Sequence, residues 1–557
     1  MAIVYSFGGK QVVLPGIYST IKSGENNPSV NASYGNILVV DTGTGANYGG
    51  GKGITSTVSD VTTNNGAAAA YSFNNPDTMQ SFMRGGVWWN LALPLFKPEI
   101  GVAGCSNVYY VRAADTTPAT ITFSPTGGGY LGGTFEVYTK DEGLGANGVQ
   151  VSSVLTRGYA VTLQVGDNDP NLFTLKFWVG TFKGLAADGL PYDNILEADC
   201  KPVLICKSVE FSTMAQLFAW AANDSVFNSY FTIKTQTATG AGTVTSDDLA
   251  LYTGNILATG GLETFSTAKT DLALTAVKDV AYTFILSDKF GDEAKGVDNG
   301  KYLNHVLTDA KYRKFVWVGG GADQTKFYKD SGGIVIANSS GDISTYFNSN
   351  RVIVAHGNPK VASPYTGTGY RIWDTLYKAA ITLGRTAGLP PQVPNTFKSI
   401  NISGEVHILS TKEREIGLQA GILMTYFDED FNKFTILQGV NSLQRNTFLI
   451  NTDATSYCIQ AERIFAYVDM ALLKAAKTEL LSAPNGVNRN TLSPEFLRDW
   501  TRAKLNTMIA TDQADNVILS VESVTVSNLP DGYAVNYTYY INTEIDKIFF
   551  TGNVKIG

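Results

Sequence analysis

An alternation of helices and strands, broken in the middle by a long run of strands alone, most constrains what this chain can fold into. NILVVD (36–41), the helical segment TMQSFMRGGVWWNLALPLF with its glycine break, and NVYYVRAA (107–114) open the pattern. From about 115 to 210 the texture is all-β. ATITFSP, TFEVYTKD, GVQVSSVLT, YAVTLQV, LFTLKFWVG and KPVLICKSVEF follow at short spacing, with Gly, Asn and Asp between them. That pattern predicts a small barrel or sandwich. The alternation then resumes with the helix MAQLFAWAA, capped by Ser212 or Thr213, and a helix over Thr264–Asp279. AYTFILSD, a helix over Tyr302–Arg313, KFVWVGGG, GGIVIA and RVIVAH follow, and then the amphipathic helix RIWDTLYKAAITLGRTAG. A sheet with helices on its faces, carrying an inserted all-β unit, accounts for this order.

The last part of the chain reads as an α+β unit. FTILQGVNSL is a strand and turn, and ERIFAYVDMALLKAAKTELL (462–481) a long helix. Ser493-Pro494-Glu495 starts another helix, running to about Ala510, with serine at the cap and proline in the first turn. VILSVESVTVSN and YAVNYTYYI are strands. KIFFTGNVKI then places Ile548, Phe550, Val554 and Ile556 on one face. A strand with an apolar face invites aggregation unless another strand pairs with it. The first residues pose the same problem. IVYSF and GKQVVLPGIYSTIKS are strand-like, with Pro15-Gly16 as punctuation, and hold too little to form a core of their own.

Composition narrows the function classes. The 557 residues suffice for roughly three or four domains. Hydrophobic residues make up 44% and charged residues 16%, which implies globular units with a low-charge surface. A net charge of −7 disfavours direct nucleic-acid binding. No apolar run approaches the roughly 18 residues of a membrane span. MAIVYSFGGKQ lacks the basic and apolar regions of a signal peptide, so the expectation is a protein made and kept in a cytoplasm.

The motifs that suggest chemistry fail on spacing. GTGANYGGGKG (43–53) resembles a phosphate loop, but Ala46 and Gly53 stand where a Walker motif needs Gly and Ser or Thr. VWVGGGADQ (316–324) lacks GxGxxG spacing and reads as a tight turn. GDNDP (166–170) lacks the ligand pattern of a calcium loop and reads as a hairpin turn. Asp428-Glu429-Asp430 reads as a solvated loop. Cys105, Cys200, Cys206 and Cys458 form no CxxC pair and read as buried free thiols. His305, His356 and His407 have no metal-ligand spacing and read as structural. No catalytic constellation, cofactor motif or metal motif emerges.

The order of segments resembles the contractile tail sheath proteins of bacteriophages and related injection systems. PGIYSTI (15–21) is similar to the family's start after a short arm. NVYYVRAAD (107–115) is similar to the strand that leads into its β insertion, and DEGLGANGVQV (141–151) to a turn of that insertion. AAITLGRTAGLPPQVPNTFKSI (379–400), GILMTYFDEDFNKFTILQGVNSL (421–443) and ERIFAYVDMALLK (462–474) resemble later segments, in order. The departures are PQVPNTFK, where the family carries a tryptophan-containing motif, and SAPNGVN after the long helix.

The resemblance implies an α/β and α+β multidomain fold. Residues 1–24 would be an N-terminal linking arm, 25–114 and 206–400 an α/β middle domain, and 115–205 an inserted all-β outer domain. Residues 401–544 would be a C-terminal inner domain facing a tube, and 545–557 a C-terminal linking arm. It implies no catalytic, cofactor or metal residues. Ile3, Val4, Tyr5, Val13, Ile17, Tyr18 and Ile21 would carry the N-terminal inter-subunit contact. Ile545, Ile548, Phe549, Phe550, Val554 and Ile556 would carry the C-terminal one. Its partners would be copies of itself in hexameric rings stacked as a helical sheath, a tail tube protein, and baseplate and terminator proteins. Direct contact with nucleic acid or insertion into a membrane is not expected. The location would be the virion, after assembly in the host cytoplasm. Arg498 and Arg502, four apart on one helical face, and Lys504 are candidates for meeting acidic groups on the tube. The competing expectation is a carbohydrate-active or nucleotide-binding enzyme with its site in the α/β region, which requires converging polar groups in a pocket.

Overall fold

The structure is a computed structural model. It describes residues 5–7, 10–12, 35–41, 71–83, 86–125, 133–142, 146–148, 158–180, 203–238, 244, 256–265, 267–290, 301–309, 314–321, 327–329, 332–362, 370–443, 457–481, 492–509 and 517–541.

Its centre is a seven-stranded sheet. The strands lie in the order Ile422–Leu423, Val352–Ala355, Phe315–Gly319, Phe284–Phe290, Ile37–Asp41, Val108–Arg112 and Tyr71–Phe73. All neighbours are parallel except the last pair. Parallel strands buried on both faces need apolar side chains in both directions. Ile37, Val39, Phe284, Leu286, Phe315 and Trp317 accordingly enter one core, and Leu38, Val40, Ile285, Val316 and Val318 the other. Helices Pro76–Met83, Gly86–Phe96 and Thr375–Ala387 cover the first face. Helices Thr267–Ala276 and Ser340–Phe347 cover the second.

The all-β unit is a sandwich of two four-stranded antiparallel sheets, not a closed barrel. One sheet runs Val203–Lys207, Phe173–Gly180, Gly158–Val165, Ile256–Leu257. The other runs Phe231–Ala238, Gly133–Glu142, Ala114–Phe123, Leu262–Phe265. Phe123, Phe135, Tyr159, Phe177, Phe211 and Phe231 fill the shared core. GDNDP is the hairpin turn, closed by Gly166 N–H donating to Leu172 O at 2.7 Å.

Several expectations change. The helix MAQLFAWAA (Met214–Asn223) is not a layer of the α/β sheet. Met214, Leu217 and Ala221 point into the sandwich core, so that unit extends well past residue 205. The helix expected from Thr264 begins at Thr267, because Leu262–Phe265 pairs as a strand with Ala114–Thr117. GGIVIA forms no strand. Gly333 is left-handed at φ +79° and Ile334 is 69% exposed, leaving only a bridge between Lys329 and Val335. The 400/401 boundary runs through one core, since Ile400, Ile402, Leu423, Phe434 and Ile436 pack with the α/β sheet's helices. The Thr375–Ala387 helix is not amphipathic in its surroundings; every residue of it is buried.

That burial depends on Gly384. A Cβ there would lie 2.3 Å from the Pro94 carbonyl oxygen and 2.7 Å from that of Leu95. The two helices therefore touch backbone to backbone. Gly384→Ala is expected to destabilise the protein by about 1–3 kcal/mol through overpacking, read as a lower denaturant midpoint. Gly532→Ala, at a position with open space around it, is the control. An unchanged midpoint for Gly384→Ala would refute the close crossing.

Candidate functional site: the C-terminal ribbon and the strand-end cluster

Ile518–Leu529 and Gly532–Ile541 form a long antiparallel ribbon with no third strand among the described residues. Alternation sets its faces. Val535, Tyr537, Tyr539 and Ile541 turn toward the helices Ile459–Ala475 and Pro494–Asn506, where Ile464, Val468, Leu472 and Leu505 complete a small core. Tyr537 donates to Asp469 at 2.8 Å. Asn536, Thr538 and Tyr540 face away and are exposed.

The two edges differ. Ile518–Leu529 carries two register shifts, between Ile518 and Ser520 and between Val521 and Ser523. Such bulges twist a strand and spoil its outer ladder. The Pro494–Asn506 helix also packs mainly on that strand. Gly532–Ile541 has no extra residue and keeps a regular edge.

The expected site residues fall unevenly. Ile545, Ile548, Phe549, Phe550, Val554 and Ile556 lie outside the described residues, as do Ile3, Val4, Val13, Ile17, Tyr18 and Ile21 and the loop 43–53. Tyr5 lies in a strand, Tyr5–Phe7, that does have a local partner: it pairs with Lys10–Val12, correcting the expectation that the first strand lacks one. Ser493 caps the Pro494–Asn506 helix by accepting from Phe496 N–H at 3.1 Å. On that helix Arg498 meets Asp499 at 2.9 Å, and Lys504 meets Glu479 at 2.5 Å. Arg498 and Arg502 are both solvent-exposed.

An enzyme on this fold would place its site at the carboxyl ends of the parallel strands. Polar groups do gather there, but in a closed cluster. Gly321 N–H donates to Ser340 Oγ at 3.0 Å, and Ser340 shares a 2.7 Å hydrogen bond with His356 Nδ1. Lys378 Nζ lies 2.5 Å from Glu405 Oε1 and from Thr425 Oγ1, and Thr425 also bonds Glu405. Ser340, His356, Lys378 and Glu405 are all buried. The glycines of VWVGGG serve packing: a Cβ on Gly320 would meet Ser340 Oγ at 2.2 Å. Burial pushes Lys378 below the ordinary lysine range, and the Glu405 carboxylate opposes it. No group of His, Cys, Asp and Glu suited to a metal ion occurs among the described residues, and no described helix is long and apolar enough to cross a membrane. Cys105 and Cys206 are free thiols, and burial raises both. The histidines are held in place: His305 by Tyr282 at 2.6 Å, His407 by Glu413 at 3.2 Å.

No protein-family model matches the chain, and no curated protein matches it. Among solved structures it is similar to the sheath tail protein of Desulfitobacterium hafniense, with TM-score 0.49 and 14% identity over 94% of this chain and 100% of that one. It is similar to the sheath tail protein of Listeria innocua, with TM-score 0.45 and 13% identity over 92% and 93% of the two chains. It is also similar to the helical sheath of the anti-feeding prophage in its contracted state, with TM-score 0.38 and 10% identity over 97% and 99%.

The cluster generates two predictions. Removing one member of a buried ion pair strands the other, whereas apolar replacement of both is often neutral. Glu405→Gln is expected to cost about 3–5 kcal/mol, and Lys378→Met with Glu405→Leu much less, by chemical denaturation. Equal losses would show that the pair is not coupled. The second prediction concerns pH. Burial, with the Lys378 charge second, pushes His356 down to about 3. Between that value and the ordinary histidine value of about 6.5, the unfolded chain binds a proton here that the folded chain does not. Stability therefore falls as pH drops through this window, and this ring has no effect above it. His356→Asn, which preserves an acceptor for Ser340, is expected to flatten that acid slope. An unchanged slope would place the acid sensitivity elsewhere.

Proposed function

We propose that this protein is a structural subunit of a contractile tail sheath, without catalytic turnover. The observation that carries the reading is the C-terminal ribbon of Ile518–Leu529 and Gly532–Ile541, which has no third strand among the described residues, followed by KIFFTGNVKI, a strand-like sequence with one apolar face. Strand addition at an open edge is a general route to recruiting a partner chain. The ordered segment resemblances support the same reading.

In this reading residues 545–557 of one copy add to the ribbon of another, and Ile548, Phe550, Val554 and Ile556 enter its core. Residues 1–24 make a second link. Copies form hexameric rings stacked helically around a tail tube, and the stack contracts between two packings to drive the tube through a host envelope. Baseplate and terminator proteins close its ends, and the assembly belongs to a virion put together in the host cytoplasm. The Pro494–Asn506 helix faces the tube. Arg502 leads that contact, because Arg498 and Lys504 already meet Asp499 and Glu479 within the chain.

Deleting residues 545–557 is expected to leave a folded protein that no longer forms long striated cylinders by electron microscopy. Full-length cylinders from the truncated chain would sink the strand-exchange assignment. Discrete particles from the intact chain would sink the sheath reading itself.

A further inference from the structure

We infer that Arg463 sets the direction of the C-terminal ribbon relative to the α/β body, by rooting the Ile459–Ala475 helix in the turn that follows the central helix.

The Ile459–Ala475 helix belongs to both parts of the molecule. Ile459 and Ala466 pack in the core of the α/β sheet, while Ile464, Val468 and Leu472 pack under the ribbon. Whatever fixes its first turns therefore fixes the ribbon. Arg463 is fully buried, one of the largest side chains to be so. Its guanidinium donates to the carbonyls of Val393 at 3.0 Å, Pro390 at 3.0 Å and Leu389. These residues follow Gly388, the C-cap of the Thr375–Ala387 helix, and Pro390 and Pro391 hold the turn outside helical geometry. Three carbonyls in one turn meet a planar fork of fixed shape, which resists rotation in a way that a lysine point charge does not.

The neighbouring side chains act in the same direction. Gln460 Nε2 donates to Gln392 O at 2.5 Å, and Ile459 N–H donates to Gly439 O at 2.9 Å. Glu462 accepts from Asn350 at 2.8 Å, and Arg351 Nε lies 3.9 Å from it, which ties the same helical turn to the loop before strand Val352–Ala355. The root therefore grips three separate segments of the body: the turn Leu389–Val393, Gly439 and the loop at Asn350–Arg351. Apolar packing alone is non-directional. The polar root supplies the direction.

The inference concerns the chain's own joint and stands apart from the sheath reading. Its test is a distance within one molecule. Spin labels on Lys412→Cys, in the body, and Asn528→Cys, in the ribbon, report the joint directly; both positions are exposed. The parent is expected to give one narrow distance distribution. Arg463→Met, similar in length but without donors, is expected to broaden or shift it while amide protection of Ile518–Ile541 against exchange persists. Arg463→Lys is expected to fall between the two and decides the matter if the methionine variant does not fold. A folded Met or Lys variant with the parent's narrow distribution overturns the inference. So does broadening only in step with lost ribbon protection, because that is unfolding rather than pivoting. Polymer formation by electron microscopy, read separately, tests the sheath.

Discussion

Complete burial of one thirteen-residue helix, Thr375–Ala387, is the constraint on which the rest of the structure depends. A surface helix shows the core one face and the solvent the other. This one has no solvent face. The parallel sheet lies against one side, and the helix Gly86–Phe96 crosses another at Gly384. The small strands around Gly404–Glu405 and Ser399–Ile400 close over the remainder. Its polar residues must then find partners within the protein. Thr382 and Thr386 return their hydroxyls to the carbonyls of Lys378 and Thr382, Arg385 reaches Ser399 O, and Lys378 meets Glu405. An unpartnered charge at any of these places would cost more than the helix gains by being there.

The same helix closes over the polar cluster at the carboxyl ends of the strands. The position is the one where α/β folds bind ligands. Here Thr375 donates to Gly320 O, and Ser340 and His356 bond each other across the strand ends. A neutral imidazole held by burial is a packing element with an acid-sensitive consequence.

Much of this was legible in the sequence, wherever a local pattern decides. Continuous apolar runs such as NILVVD and KFVWVGGG became central strands, Ser493-Pro494 capped its helix, and GDNDP turned a hairpin. The failures share a cause. MAQLFAWAA has a helical pattern, but which core receives its apolar face is a tertiary choice. GGIVIA has strand propensity, yet Gly333 is left-handed and Ile334 points into solvent. RIWDTLYKAAITLGRTAG contains Lys378, Thr382 and Arg385, which read as a polar face until partners from distant segments bury them. Glu405 carried no motif, and Arg463 only a place in the helix ERIFAYVDMALLK. Their roles come from a carboxylate and three carbonyls brought together across long stretches of chain, which no local spacing records. The alternating apolar residues of the ribbon gave its inner face, but its bulges and unequal edges arise from pairing.

The two ends of the Ile459–Ala475 helix therefore do opposite kinds of work. At its root, polar contacts of fixed geometry remove freedom between the ribbon and the body. At its far end, the ribbon has no third strand among the described residues. Backbone pairing accepts many sequences, and specificity comes from the side chains on alternate positions. A polymer built by such pairing inherits the orientation of the edge that receives the strand. If that edge swung freely, each added copy would point in its own direction, and a heterologous contact repeated with variable rotation gives neither closed rings nor a regular helix. A stiff joint inside the chain and a permissive edge at its end are thus complementary requirements. In the proposed assembly, the first fixes where the edge points, and the second lets another copy complete it.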